Sequence, residues 1–222
     1  MNTMAMYKAL LFAQWKHQRN ELIVFTMAGS IIAPAALWQA MNLPAEWDVM
    51  RLLTTSMVIG GLGSALAIGT GFLLAVRPFV LDGRSQHTYA LALPLPRMRY
   101  SLLRVATGLT LTILPALGFL VGALVASQAI PPTLLLRAYP VGLTLRFLLG
   151  AVLAFAVGFG LQYGLGRRAG RWLVIAAITI GGFELFGQLV FHASLTAPFW
   201  ELLAHPASPL RVFGVRWMLF DV

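Results

Sequence analysis

No charged side chain falls between Leu22 and Pro44, and the same holds from Leu52 to Val76, from Val105 to Leu136 and from Phe147 to Gly166. A fifth run, Trp172 to Trp200, carries one acid, Glu184. A helix crosses the hydrocarbon of a bilayer with about 20 largely apolar residues. In water such runs would need a core far larger than 222 residues can build. The chain is 59% hydrophobic and 10% charged, with a mean hydropathy of +0.81, outside the range of ordinary soluble domains. The expectation is an all-α, polytopic transmembrane bundle forming a single domain over 1–222. Its five spans fall at about 22–42, 52–76, 102–126, 142–165 and 172–192.

Charge placement orients it. With the N-terminus in the cytoplasm, the inner segments hold Lys8, Lys16, Arg19, Arg77, Arg84, Arg97, Arg99, Arg104, Arg167, Arg168 and Arg171, eleven of the 16 Lys and Arg residues. Arg51, Arg137, Arg146, Arg211 and Arg216 fall outside or near outer helix ends. This bias follows the positive-inside rule and predicts a multi-pass protein of the cell (inner) membrane. Topology then accounts for the net charge of +9. No nucleic-acid partner is expected, because the basic residues flank spans and do not line a groove. With no cysteine, disulfides and thiolate metal sites are excluded. A polar lead of 21 residues before a full-length apolar run reads as a signal anchor, not a cleaved leader.

Within that lead, Tyr7, Leu11 and Trp15 recur every fourth residue beside Lys8, Lys16 and Arg19. This predicts an interfacial helix over 4–19, lying on membrane lipid. Its alternative is the cytoplasmic start of the first span. Pro34 and Pro115 predict kinks in helices 1 and 3. In helix 2 the run GGLGSALAIGTG (60–71) lacks the Lys-Ser/Thr ending of a phosphate-binding loop. Small residues four apart, Gly60 with Ser64 and Gly61 with Ala65 and Gly69, predict close helix packing. Helix 4 repeats the pattern in Gly150, Ala154 and Gly158, then Gly160 and Gly164. The tail, 193–222, carries three prolines and four charges. It is read as an outer segment, with a sixth span or re-entrant pair left open.

Few residues carry chemistry. Glu184 lies in helix 5 with Gln188 one turn on, and Arg146 near the outer end of helix 4 is within reach if the helices are neighbours. Ionisable residues at that depth face an interior, a cavity or a partner. They make either a polar substrate contact or an ion pair that sets helix register. The histidines at 17, 87, 192 and 205 have no ligand spacing. No nucleophile and base are paired, and the glycine–serine order of GLGSA (61–65) is wrong for an intramembrane serine protease. The chain is expected not to be an enzyme and to bind no cofactor.

The longest cytoplasmic connection, 77–101, contains LDGRSQHTYALALPLPR. Asp82 is suited to cap a helix that Pro94 and Pro96 end, with Tyr89 and Leu93 on one face. Such a helix offers a handle to a soluble partner; alternatively, its arginines only hold orientation. Asp82 and Gly83, then Leu91-Ala92-Leu93-Pro94, with Arg97 after them, resemble the signature of the ABC-2 family of transporter permeases. That family usually has glutamate before the helix and a small residue after the proline, where this chain has Asp82 and Leu95. The resemblance implies a permease subunit of an exporter. It would pair with a second copy or a homologous permease and bind separate ATP-binding cassette subunits that hold ATP and magnesium. Residues 82–93 would be the coupling helix, with Arg84 and Arg97 as docking contacts. The family implies six spans, with a re-entrant outer segment between the fifth and sixth. The alternatives are a membrane scaffold or assembly factor that needs no ATPase, and a haem-exporter-type permease.

Overall fold

The computed structural model describes residues 3–42, 48–84, 96–129 and 137–165, together with Thr179, Ser208, Val212, Trp217 and 219–221. Four long helices make up most of this: α1 (Thr3–Met41), α2 (Asp48–Arg84), α3 (Arg97–Ala129) and α4 (Pro140–Leu165). Each has the length and composition to cross a membrane. A two-residue antiparallel ladder joins β1 (Arg137–Ala138) to β2 (Phe220–Asp221). The protein is thus a helical bundle with four candidate spans among the described residues. The expected fifth span, 172–192, lies outside them except for Thr179, which is helical and exposed.

Side-chain contacts set the helix directions. Glu21 is ion-paired with Arg77, Phe25 lies against Gly69 and Leu66 against Gly29. Numbers fall along α2 as they rise along α1, so the pair is antiparallel. Thr26 meets Gly118 and Ser30 meets Gly122, so α1 and α3 run parallel. Gly71 fits against Ala151 and Phe155, and Ala75 against Gly158, which makes α2 and α4 parallel too. Phe119 stacks on Phe147 at 4.8 Å while Gly108 meets Phe155, so α3 and α4 are antiparallel. The result is an up–down–up–down bundle in which α1 faces α2 and α3, and α4 closes the square from the other side. The starts of α1 and α3 and the ends of α2 and α4 share one end. Lys8, Lys16, Arg19, Arg77, Arg84, Arg97, Arg99 and Arg104 all belong to the half of the bundle nearest it, hereafter the basic end.

The helices are longer than the spans predicted from charge-free runs. At about 1.5 Å per residue, the 39 residues of α1 extend about 58 Å, against about 30 Å of hydrocarbon. Residues 4–19 are therefore the first turns of α1 and not a separate helix. Their aromatic face makes protein contacts on its partly buried side. The Tyr7 hydroxyl lies 2.6 Å from Thr110 Oγ1, and Leu11 and Trp15 pack against a cluster built on Leu22, Leu74, Leu111 and Phe155. Thr110 precedes Gly118 by about two turns, whereas Tyr7 precedes Thr26 by about five. The start of α1 therefore crosses α3 obliquely, out of step with the parallel packing further on.

α2 runs through Pro78 to Arg84, so Asp82 and Gly83 sit in its last turns and do not cap a new helix. The rest of the expected coupling helix, including Tyr89, Leu93 and Pro94, lies outside the described residues. α3 begins directly after Pro96, whose carbonyl accepts from Tyr100 N at 3.2 Å. Arg97 is thus its first residue. The helix dipole disfavours cations there by about 0.3–1 kcal/mol, a small cost beside moving arginine into hydrocarbon. Pro140 opens α4 at the position where a missing N–H costs nothing, and the Tyr139 carbonyl accepts from Leu143 N at 3.0 Å.

In lipid, helices gain little from hydrophobic burial against one another, so packing and close approach hold the bundle. Large apolar side chains point outward along every helix, among them Met27, Ile31 and Trp38, Met57 and Leu62, Leu117 and Val121, and Leu145 and Leu149. That is the expected surface of a protein solvated by hydrocarbon.

Candidate functional site

The two halves of the bundle interior differ. In the half away from the basic end, alanines at 33, 36, 67, 116, 123, 126 and 151 pack with Ile32, Ile59, Phe119 and Phe147. Gly118 and Gly122 lie so close to the backbone of Thr26 and Ser30 that a Cβ has no room. The Thr26 and Ser30 hydroxyls donate back to Leu22 and Met27 carbonyls at 2.6 and 2.7 Å. Two small pairs at four-residue spacing thus face one another across the α1–α3 seam. Glycine is also required at Gly71, against the α4 backbone at Ala151 and Phe155.

The chain's tail completes this half. Trp217 is 1% exposed, meets the Phe119 ring edge-on at 6.4 Å, and donates from Nε1 to the Val212 carbonyl at 3.1 Å. A Cβ at Gly63 would stand 3.0 Å from its ring, and one at Gly60 would stand 3.7 Å from its Cβ. The indole therefore fills space between α2 and α3, which touch little elsewhere. Leu219 is buried beside it, and its carbonyl accepts from Tyr139 N at 2.8 Å. Part of the tail read as lying outside is packed into the core.

The small-residue expectations sort accordingly. A Cβ at Gly69 would stand 3.2 Å from Phe25 and one at Gly158 would stand 3.0 Å from Ala75, both in helix seams. Gly60 serves Trp217 and not a neighbouring helix. Gly61 has nothing within 4 Å, and the Ser64 hydroxyl bonds its carbonyl at 3.1 Å. Gly150 is buried, whereas Gly160 and Gly164 face open space. Gly118 and Gly122 were missed, although their spacing carries the same signal as the pairs on helices 2 and 4. Arg146 sits half-buried on α4; Glu184 and Gln188, its expected partners, lie outside the described residues.

Toward the basic end the interior becomes polar. One to two turns beyond the Leu22–Leu74–Leu111–Phe155 cluster, the helices present Gln18 and Gln14, Arg77, Thr107 and Arg104, and Gln162. Gln14, Gln18, Arg104, Thr107 and Gln162 are all buried. The Arg104 guanidinium lies 5.5 Å from the Tyr100 ring centre, a cation–π distance. Thr107 donates to the Arg104 carbonyl at 2.9 Å. The Glu21–Arg77 pair joins α1 to α2 with both side chains part-exposed. None of these residues other than Arg77 and Arg104 drew notice in the sequence, and those two only as topology markers. A glutamine amid Lys16, His17 and Arg19 reads as one more solvated side chain until its azimuth is known.

Among the described residues, both amide atoms of Gln14 and of Gln18 have no hydrogen-bond partner, and neither does Thr70 Oγ1 further along α2. Each buried unsatisfied group costs about 1–3 kcal/mol. Chemically the layer can hold a polar group by hydrogen bonds; it offers no paired nucleophile and base among the described residues. No family model, curated protein or solved structure matches this chain.

Proposed function

We propose that the chain is the membrane-spanning permease subunit of an ATP-driven exporter of the ABC-2 type, with its basic end in the cytoplasm. The positive-inside rule supports that orientation, since eight of the described Lys and Arg residues gather toward one end. The sequence offers no phosphate-binding loop of its own, so ATP and magnesium belong to a separate partner subunit. The observation that carries this reading is the course of α2. It is one continuous helix from Asp48 to Arg84, and it runs from the Trp217 contacts at Gly60 and Gly63 to the acid–glycine pair Asp82-Gly83.

A displacement at Arg84 would therefore be passed along one continuous helix, through Pro78, to the close contacts at Gly71 and Gly63. The Glu21–Arg77 pair ties that helix to α1 near the bundle's polar layer. Closure of an ATPase on the segment after Arg84 would bias two arrangements of the helices, a population shift driven from outside the membrane. Purification of the tagged chain in mild detergent tests this. A co-purifying subunit with ATP-binding motifs, released by combined substitution of Asp82, Arg84 and Pro94, is the expected result. A folded chain that retains no ATPase overturns the proposal and leaves a membrane scaffold as the reading.

A further inference from the structure

Gln14 and Gln18 are four residues apart on α1 and so share a face, while Lys16, His17 and Arg19 between and after them are exposed. Gln18 is fully buried and Gln14 is 9% exposed. All four of their amide atoms lack partners. Leu22, one turn on along the same face, is completely buried, so an apolar side chain is accommodated there without difficulty. Glutamine at 14 and 18 thus carries a desolvation cost that leucine would avoid. Among the described residues, nothing matches these two carboxamides.

The partner's chemistry follows from what stands open. The unmatched set on this face consists of two carboxamides. It is neutral, and it offers N–H donors alongside carbonyl acceptors. Of the cations in this half, Arg77 pairs with Glu21 and Arg104 lies against Tyr100, while Lys8, Lys16, Arg19 and Arg99 are exposed and so lie off the buried Gln14–Gln18 face. An anion held at that face would call for a buried, uncommitted cation, and a cation for a buried, uncommitted acid. A neutral group that both donates and accepts fits instead. Beside the amides, Leu11 and Trp15 are only partly buried and belong to an apolar cluster with Leu22 and Leu111, a surface suited to an alkyl chain.

We propose that Gln14 and Gln18 form a binding site for the neutral, hydroxyl- or amide-bearing headgroup of an amphiphile, held near the basic end of the bundle. The site does not depend on coupling to an ATPase. The same chemistry would be met by a resident membrane lipid or by an amphiphilic cargo.

The test uses the full chain in phosphatidylcholine nanodiscs and three probes of equal chain length: an alkyl glucoside, an alkyl phosphate and an alkyl trimethylammonium. Unfolding temperature is followed as each is added. The expected result is a saturable rise with the glucoside alone, weakened about tenfold or more in the Gln14→Leu/Gln18→Leu double variant. The double variant is also expected to unfold at a higher temperature than the parent when no probe is present. Native mass spectrometry then separates the sources. A neutral lipid retained through purification and lost in the double variant identifies a resident lipid, whereas an empty parent that takes up the glucoside identifies exchangeable cargo. A double variant less stable than the parent, an unchanged glucoside response, or a response to the phosphate or ammonium probe instead would overturn the proposal.

Discussion

The half of the bundle away from the basic end is dry and close-packed, and the other half is polar and under-bonded. In the first, Phe119, Phe147 and Trp217 stack and edge together, and glycines bring backbones to the limit of approach. In the second, five buried polar or charged side chains take the place of such contacts, and two of them have no partner among the described residues. Dispersion contacts stabilise without regard to direction, but hydrogen bonds in a low dielectric are costly whenever they are not made. The dry half is therefore the rigid platform. The polar half is where a ligand or a second arrangement of helices can change the energy.

Substitutions separate the halves, and the largest effect belongs to the α1–α3 seam. Gly122→Leu would drive a side chain into the Ser30 backbone and is expected to destabilise by more than about 4 kcal/mol, read as loss of cooperative unfolding in detergent. Gly160→Leu, facing open space, is expected to unfold no earlier than the parent, since leucine is the better helix former. Equal losses at both positions would mean that the seam is not where the helices meet. Next comes Trp217→Ala, which empties the space between α2 and α3 and is expected to cost about 3–5 kcal/mol. A smaller loss, with thermal denaturation unchanged, would show that the tail is not part of the core.

In the polar half the sign reverses. Gln18→Leu is expected to stabilise by about 1–3 kcal/mol, and a loss of stability would show that the amide is satisfied after all. The smallest effect is that of Glu21→Gln, about 1 kcal/mol for a part-exposed pair. The exchange Glu21→Arg with Arg77→Glu is expected to recover part of it in a double-mutant cycle.

Much of this contrast was not visible in the residue order. Gly61 with Ala65 and Gly118 with Gly122 carry the same four-residue signal, yet the first faces open space and the second sets a helix seam. Small residues occur on several faces of one helix, and spacing alone does not say which face meets protein. Trp217 follows a proline-broken stretch that reads as surface, and only the cavity left by Gly60 and Gly63 shows why it is inside. Gln14 and Gln18 were hidden by the charges around them. The start of α1 showed its amphipathicity in Tyr7, Leu11 and Trp15, but an aromatic face suits a lipid surface as well as a neighbouring helix.

What the sequence determined by itself is that α1 to α4 are long and apolar enough to cross a membrane, and that cations gather toward one end. Both follow from solvation: uncharged runs of that length suit hydrocarbon, and Lys and Arg suit its edge. The tertiary structure alone decided which faces are inside, because the azimuth of each helix is chosen by mutual packing with three others. It placed a tail tryptophan in the core, ran α2 as one continuous helix out to Arg84, and left two glutamines buried with no bonding partner among the described residues.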